Sequence, residues 1–119
     1  MITMVIGFIC AMNLSYRIGK RVYPDFEWSV STEEQRVYIT FDDGPHPSIT
    51  PWVLDLLREK NARATFFVVG SNAQEYPDVI QRIVDEGHSL GNHTQSHLKG
   101  WSVSTEDYLE DIRACEASI

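Results

Sequence analysis

Residues 36–45 read Arg36-Val37-Tyr38-Ile39-Thr40-Phe41-Asp42-Asp43-Gly44-Pro45. Val37, Ile39 and Phe41 alternate with Tyr38 and Thr40, the period of a strand that hides one face. Gly44 and Pro45 then supply turn chemistry, the glycine permitting a tight bend and the proline stiffening it. A strand entering a turn is expected here, and its end carries two adjacent carboxylates.

The same reading extends along the chain. Thr50-Pro51 offers an N-cap and a proline at the first helical position, and Val53, Leu54, Leu56 and Leu57 supply the apolar side of a helix reaching about Asn61. Ala64 to Val69 is a short β-rich run closed by Gly70 and Ser71, a second strand expected to be buried on both faces. Pro77 opens a second helix, with Val79, Ile80, Ile83 and Val84 on one side and Gly87 at its C-cap. His88 to Asn92 reads as a third strand. Ser104-Thr105-Glu106-Asp107 caps a third helix, whose Tyr108, Leu109, Ile112 and Ile119 are spaced as a buried stripe.

Strands alternating with helices imply parallel strands joined by right-handed crossovers, the opening of an α/β sheet or barrel. A barrel takes roughly 200 residues or more, and the last helix reaches Ile119 with its apolar pattern unfinished. The sequence therefore reads as truncated at its C-terminal side.

The composition narrows the class. The chain has 119 residues, enough for one domain, and a formal net charge of −7. A nucleic-acid backbone is held by clustered Lys and Arg, so nucleic acid is excluded as the main partner. Residues 1–24 hold Arg17, Lys20 and Arg21 and no acid, whereas Glu106, Asp107, Glu110, Asp111 and Glu116 face only Arg113 near the other end. Those acids read as a solvated helix face. Cys10 and Cys115 form no Cys-x-x-Cys pair, so neither a zinc knuckle nor a redox motif is indicated.

The apolar run Met1–Met12 is followed, not preceded, by basic residues, so it lacks the n-region of a signal peptide. It also falls short of the roughly 20 residues a membrane helix needs, and no stable membrane span is expected. A remnant anchor and an upstream start codon both fit it.

Two constellations carry chemistry. Asp42 and Asp43 stand where a parallel α/β structure builds its active site, at a strand's carboxyl end. Neighbours in a strand point to opposite sides, so the two are expected to do different jobs. Alone, Asp-Asp-Gly also fits a solvated turn. The second constellation is Gly91-Asn92-His93-Thr94-Gln95-Ser96-His97. Histidines four apart fall on one face of a single helical turn, close enough to share a metal. Alone, such a pair also fits two unrelated exposed histidines. His46 reads as a loop residue beside the Asp pair, and His88 as part of a strand edge. Together the two motifs offer one carboxylate and two imidazoles, a set suited to a divalent metal: Zn²⁺ foremost, with Co²⁺, Ni²⁺ or Fe²⁺ compatible.

Thr-Phe-Asp-Asp-Gly at 40–44, followed by His-Thr-x-x-His at 93–97, resembles the first two motifs of the polysaccharide deacetylases (the NodB-homology domain, carbohydrate esterase family four). Ala64-Thr65-Phe66-Phe67-Val68-Val69-Gly70 and the Glu86-Gly87-His88 approach to Asn92-His93 are similar to the same family's wording. The resemblance covers about residues 36–119. It implies the N-terminal portion of a distorted (β/α) barrel, with 1–34 as a lead-in and 35–119 as a partial deacetylase domain. It also implies a hydrolase that removes acetyl groups from an N-acetylated or O-acetylated polysaccharide or oligosaccharide. On that resemblance Asp42 is the general base, and Asp43, His93 and His97 are the metal ligands. The family's later arginine, tryptophan and Leu-x-His motifs, the last supplying the general acid, do not occur after His97, so the 119-residue chain is expected to be a poor catalyst. A metal- or glycan-binding fragment without turnover, and an amidohydrolase of small cyclic amides, are the competing readings.

Overall fold

A computed structural model describes residues 16–26, 33 and 36–119. The expectations for Met1–Met12, and those for most of the lead-in, lie outside the described residues. The chain divides into two units, residues 1–36 and 37–119. In the first, residues 16–22 are helical, and a turn follows in which the Phe26 amide donates to the Tyr23 carbonyl at 3.3 Å. Among the described residues no helix is long and apolar enough to cross a membrane.

The second unit runs β1 (Thr40–Gly44), α1 (Ile49–Glu59), β2 (Thr65–Val68), α2 (Gly70–Glu75), α3 (Pro77–Asp85), β3 (Ser89–Asn92) and α4 (Thr105–Glu116). The sheet order is β1-β2-β3, both pairings are parallel, and Thr40, Thr65 and Ser89 stand side by side in register. Parallel strands share a direction, so the loops after β1, β2 and β3 gather at one edge of the sheet.

Burial explains the arrangement. Leu54 of α1, Ile83 of α3 and Val68 of β2 are fully buried, and Val53, Leu57, Ala64, Phe66 and Ala73 complete one cluster with them. Burying each large aliphatic side chain contributes about 1.5–3 kcal/mol. Phe41 and Phe66 stack at 5.1 Å between ring centres, joining β1 to that core. Arg82 of α3 pairs with Asp55 of α1, linking the two helices, and with Glu86 at the end of its own helix.

Several local expectations need correction. β1 starts at Thr40, and Val37 and Tyr38 are 87% and 70% exposed. Its neighbour β2 begins only at Thr65, whose amide donates to Ile39, so residues before Ile39 have no strand to pair with. β2 hides Phe66 and Val68 on one face and leaves Thr65 and Phe67 half-buried, so it is not sealed on both faces. Val84 is exposed rather than packed with Ile83. In α4 the buried residue is Cys115, whose Sγ–H donates to the Val68 carbonyl at 3.5 Å. Tyr108 and Ile112 are half-buried, while Leu109 and Ile119 are exposed. The six-residue helix α2 has no counterpart in the sequence reading.

Two expected helix boundaries are set by side chains. Ser104 caps α4, its hydroxyl accepting from the Asp107 amide at 3.1 Å. At α1 the expected Thr50 cap is replaced by His46, whose Nδ1 accepts from the amides of Ser48 and Ile49, each at 3.2 Å. Thr50 instead turns its hydroxyl back to the His46 amide at 2.9 Å.

Candidate metal centre

The end of β1 delivers Asp43 by a bulge. Asp42 pairs with Phe67 and Gly44 pairs with Val68, so Asp43 is an extra residue with no partner opposite it. Its φ is 68°, a left-handed conformation that aspartate tolerates better than most residues. The bulge breaks the strict two-sided alternation, so Asp42 and Asp43 can both stand at the rim. The Asn72 side-chain amide of α2 donates to the Asp43 carbonyl at 3.0 Å and pins the kink.

The segment after β3 is a loop, not the helical turn expected for His93 and His97. Thr94 and His97 both take left-handed conformations, with φ of 66° and 56°. The Asn92 side chain starts the loop, accepting from the Thr94 amide at 2.8 Å and donating to the Ile112 carbonyl of α4 at 2.7 Å. The His93 amide donates to the Val68 carbonyl at 3.0 Å. Buried Thr94 accepts from the Leu98 amide at 3.1 Å. The Gly70 and Ser71 amides, at the start of α2, donate to the carbonyls of Thr94 and Gln95 at 3.0 and 2.9 Å.

Asp111 of α4 fastens the far side. Its carboxylate accepts from the Ser96 amide at 3.0 Å and the Ser96 hydroxyl at 2.6 Å, and its carbonyl accepts from the Gln95 amide at 3.1 Å. Burial alone would raise the Asp111 pKa, but the hydrogen bonds from Ser96, Gln95 and Thr94 outweigh it and hold the carboxyl below the ordinary aspartate range.

These supports bring three expected residues to one point. Asp43 Oδ1 lies 3.0 Å from His93 Nε2 and 3.0 Å from His97 Nε2. One donor atom from each of the three residues lies within 4.8 Å of the other two. Ligands about 2.0–2.2 Å from a tetrahedral ion stand roughly 3.3 Å apart, so the donor set and its spacing fit a divalent cation. The carboxylate and His97 are exposed and His93 is half-buried, leaving the point open to incoming molecules.

The other candidates fall differently. Asp42 is exposed and shares a hollow of about 280 Å³ with Asp43, Gly44, His46 and Phe41. His46 lines that hollow while capping α1. His88 is buried just before β3, its Nδ1 accepting from the Ala64 amide at 3.3 Å, and plays no part in the cluster. The sequence reading missed Asn72 and Asp111. Asn92 carried a signal, because an asparagine two residues before a turn amide is an Asx-turn former.

A family model for polysaccharide deacetylase matches residues 29–119. The chain belongs to the polysaccharide deacetylase family. It is 47% identical over 85 residues to a peptidoglycan-N-acetylglucosamine deacetylase of Bacillus cereus, covering 71% of this chain and 40% of that protein. Among solved structures it is similar to the peptidoglycan deacetylase PdaC of Bacillus subtilis, with 38% identity, a TM-score of 0.69, and coverage of 74% of this chain and 44% of that one. A family 4 acetyl xylan esterase of Clostridium thermocellum, solved with a cobalt ion, shares 36% identity at a TM-score of 0.64, over 68% of this chain and 40% of that one. The chain thus spans less than half the length of each. Its parallel α/β layout is that of the N-terminal part of the polysaccharide deacetylase (β/α) barrel, as expected from the sequence.

Proposed function

We propose that the protein carrying this chain is a metal-dependent polysaccharide deacetylase that hydrolyses the N-acetyl amide of an acetylated polysaccharide or oligosaccharide, with residues 35–119 contributing the metal-binding portion of the domain. The observation that carries the reading is the convergence of both histidine Nε2 atoms on Asp43 Oδ1 at 3.0 Å. Asp43, His93 and His97 hold the cation, Zn²⁺ in the first place. The donor set suits Co²⁺ as well, in keeping with the cobalt ion in the acetyl xylan esterase.

When bound, such an ion supplies Lewis acidity toward the acyl carbonyl and water. The chain's own residues do the rest. The Asn72 and Asp111 contacts keep the three ligands converged before any ion arrives. Asp42, at the rim and outside the ligand set, accepts the proton that water gives up as it attacks. The hollow between Asp42 and His46 receives the acetyl end of the sugar. The N-acetyl reading draws on the named substrate of the Bacillus cereus relative, an N-acetylglucosamine unit of peptidoglycan.

Two substitutions separate the roles in the full-length protein. Asp42→Asn is expected to lower acetate release about 10²- to 10⁴-fold while metal binding, followed by titration with Zn²⁺ or Co²⁺, stays intact. His93→Ala is expected to lose both. Near-normal turnover in Asp42→Asn, or a collapse of its metal affinity, would overturn the assignment.

A further inference from the structure

The turn that follows the histidine loop carries a side chain that neither folding nor metal binding uses. The Ser102 amide donates to the Lys99 carbonyl at 2.8 Å, closing a four-residue turn with Gly100 and Trp101 at its corners. Gly100 lies on the Tyr108 ring: a Cβ at position 100 would come within 3.4 Å of it, so the turn is seated on α4. Trp101 is held outward and is 86% exposed. An indole left so open forgoes the large burial energy that Trp gains in a core.

A hollow of about 360 Å³ runs from His93 and His97 to Lys99, Trp101 and Tyr108. Its volume is that of a small-molecule cleft. Ten residues line it, well short of the roughly 20–30 on each side that a stable protein partner engages. A chain with net charge −7 is also a poor match for an anionic lipid surface. A sugar fits its chemistry. A pyranose offers one apolar face of C–H groups to a flat aromatic ring and hydroxyls to a neighbouring amine such as Lys99.

We propose that Trp101, held out by the Lys99–Ser102 turn, is the stacking platform of a saccharide subsite for the sugar unit next to the one that reacts. The inference rests on the deacetylase reading. A sugar deacetylated within a polymer has neighbours, and the hollow is continuous with the two histidines at the candidate centre.

The test uses Zn²⁺-loaded full-length protein, with N-acetylglucosamine and its β-1,4-linked tetramer as probes in calorimetric titrations. W101A is expected to bind the tetramer about tenfold more weakly, equivalent to roughly 1.4 kcal/mol and in the range of aromatic stacking. Its monomer binding and Zn²⁺ affinity are expected to be unchanged. W101F should recover most of the loss, and W52A, which alters another exposed indole, should have no effect. A native protein that binds the tetramer and releases acetate while W101A is indistinguishable overturns the subsite alone. The subsite also fails if W52A weakens binding equally, or if the fluorescence component lost in W101F is already shielded from acrylamide without sugar. A native protein that neither binds the tetramer nor releases acetate overturns the subsite and the deacetylase reading together.

Discussion

The two loops that meet at the candidate metal centre are held by different means. The Asp43 loop rests mainly on a local device, one extra residue in β1 and one left-handed φ, with a hydrogen bond from Asn72 of α2 and the Val69 amide on the Gly44 carbonyl beside it. The His93–His97 loop is tied to three other elements, through the Val68 carbonyl of β2, the Gly70 and Ser71 amides of α2, and Ile112 and Asp111 of α4. The difference follows from what each loop delivers. A kink suffices to present one carboxylate. Two imidazoles four residues apart must reach one point without a helix to place them, so their loop needs support along its whole length.

The largest expected effect comes from cutting the long-range support. Asp111→Ala strips Ser96 of the acceptor for both its amide and its hydroxyl. Hydrogen bonds to a charged group contribute about 1.5–3 kcal/mol, and partial exposure at the loop places the loss near 2 kcal/mol. Supports behind metal ligands typically affect metal affinity about 10- to 100-fold, and the same range is expected here. Denaturant unfolding and Co²⁺ titration read the two quantities. Asp111→Asn, which keeps one acceptor oxygen, should fall between. Unchanged metal affinity in Asp111→Ala would break the contrast, showing that the histidine loop holds itself.

The same contrast marks what the sequence makes legible. The carboxyl end of β1 at Asp42-Asp43-Gly44, the Ser104 cap and the glycine ending α3, Gly87 at a φ of 77°, are all local signals and lie where the pattern puts them, although the turn itself falls at residues 47–48 rather than at Gly44-Pro45. The three residues Asp43, His93 and His97 are likewise named by their motifs. What fails is whatever distant residues decide. Four-residue spacing suggests a helical turn for His93 and His97, but Thr94 and His97 take left-handed conformations in a loop bonded to residues 70, 71, 111 and 112. Helix α2 is hidden by Gly70-Ser71, which reads as a break although the amides of both residues bond to the histidine loop. Asp111 belongs by composition to a solvated acidic face, and only the fold shows that it grips Ser96.

Acid provides a second, intermediate test, because His88 stands at the entry to the strand that carries the histidine loop. Burial lowers the His88 pKa, with the Arg63 charge adding to the effect and Glu86 opposing it. The unfolded chain therefore takes up the proton near pH 6.5, where the folded chain still resists it. Stability is full above that pH and falls as the pH drops below it, down to the lowered folded value. The Asp111 loss comes later, below about pH 3.8, because its carboxyl is held low in the folded chain and normal in the unfolded one. Denaturant midpoints between pH 7.5 and 5 should decline in the native chain and stay flat in His88→Asn, which retains an acceptor for the Ala64 amide. A flat native profile would show that His88 does not set the acid response.

The smallest expected effect is at Asn72, and it tests the local side of the contrast. Its side chain makes a single hydrogen bond to the Asp43 carbonyl in an exposed setting, where such a bond contributes about 0.5–1 kcal/mol. If the bulge is set mainly by the strand and by Asp43 itself, Asn72→Ala should cost no more than that and should shift metal affinity only a few-fold, well short of Asp111→Ala. The reason is that the bulge keeps other supports: Val69 still donates to the Gly44 carbonyl at 2.8 Å, and Asp42 and Gly44 keep their partners on β2. Replacing Asp43 by Asn would be a poor alternative test, since it alters a proposed ligand as well as the turn. Co²⁺ titration of Asn72→Ala beside Asp111→Ala in one buffer gives the comparison directly. An equal or larger loss at Asn72 would mean that the Asp43 kink depends on α2 as heavily as the histidine loop depends on α4, and the distinction between a local and a supported loop would fail.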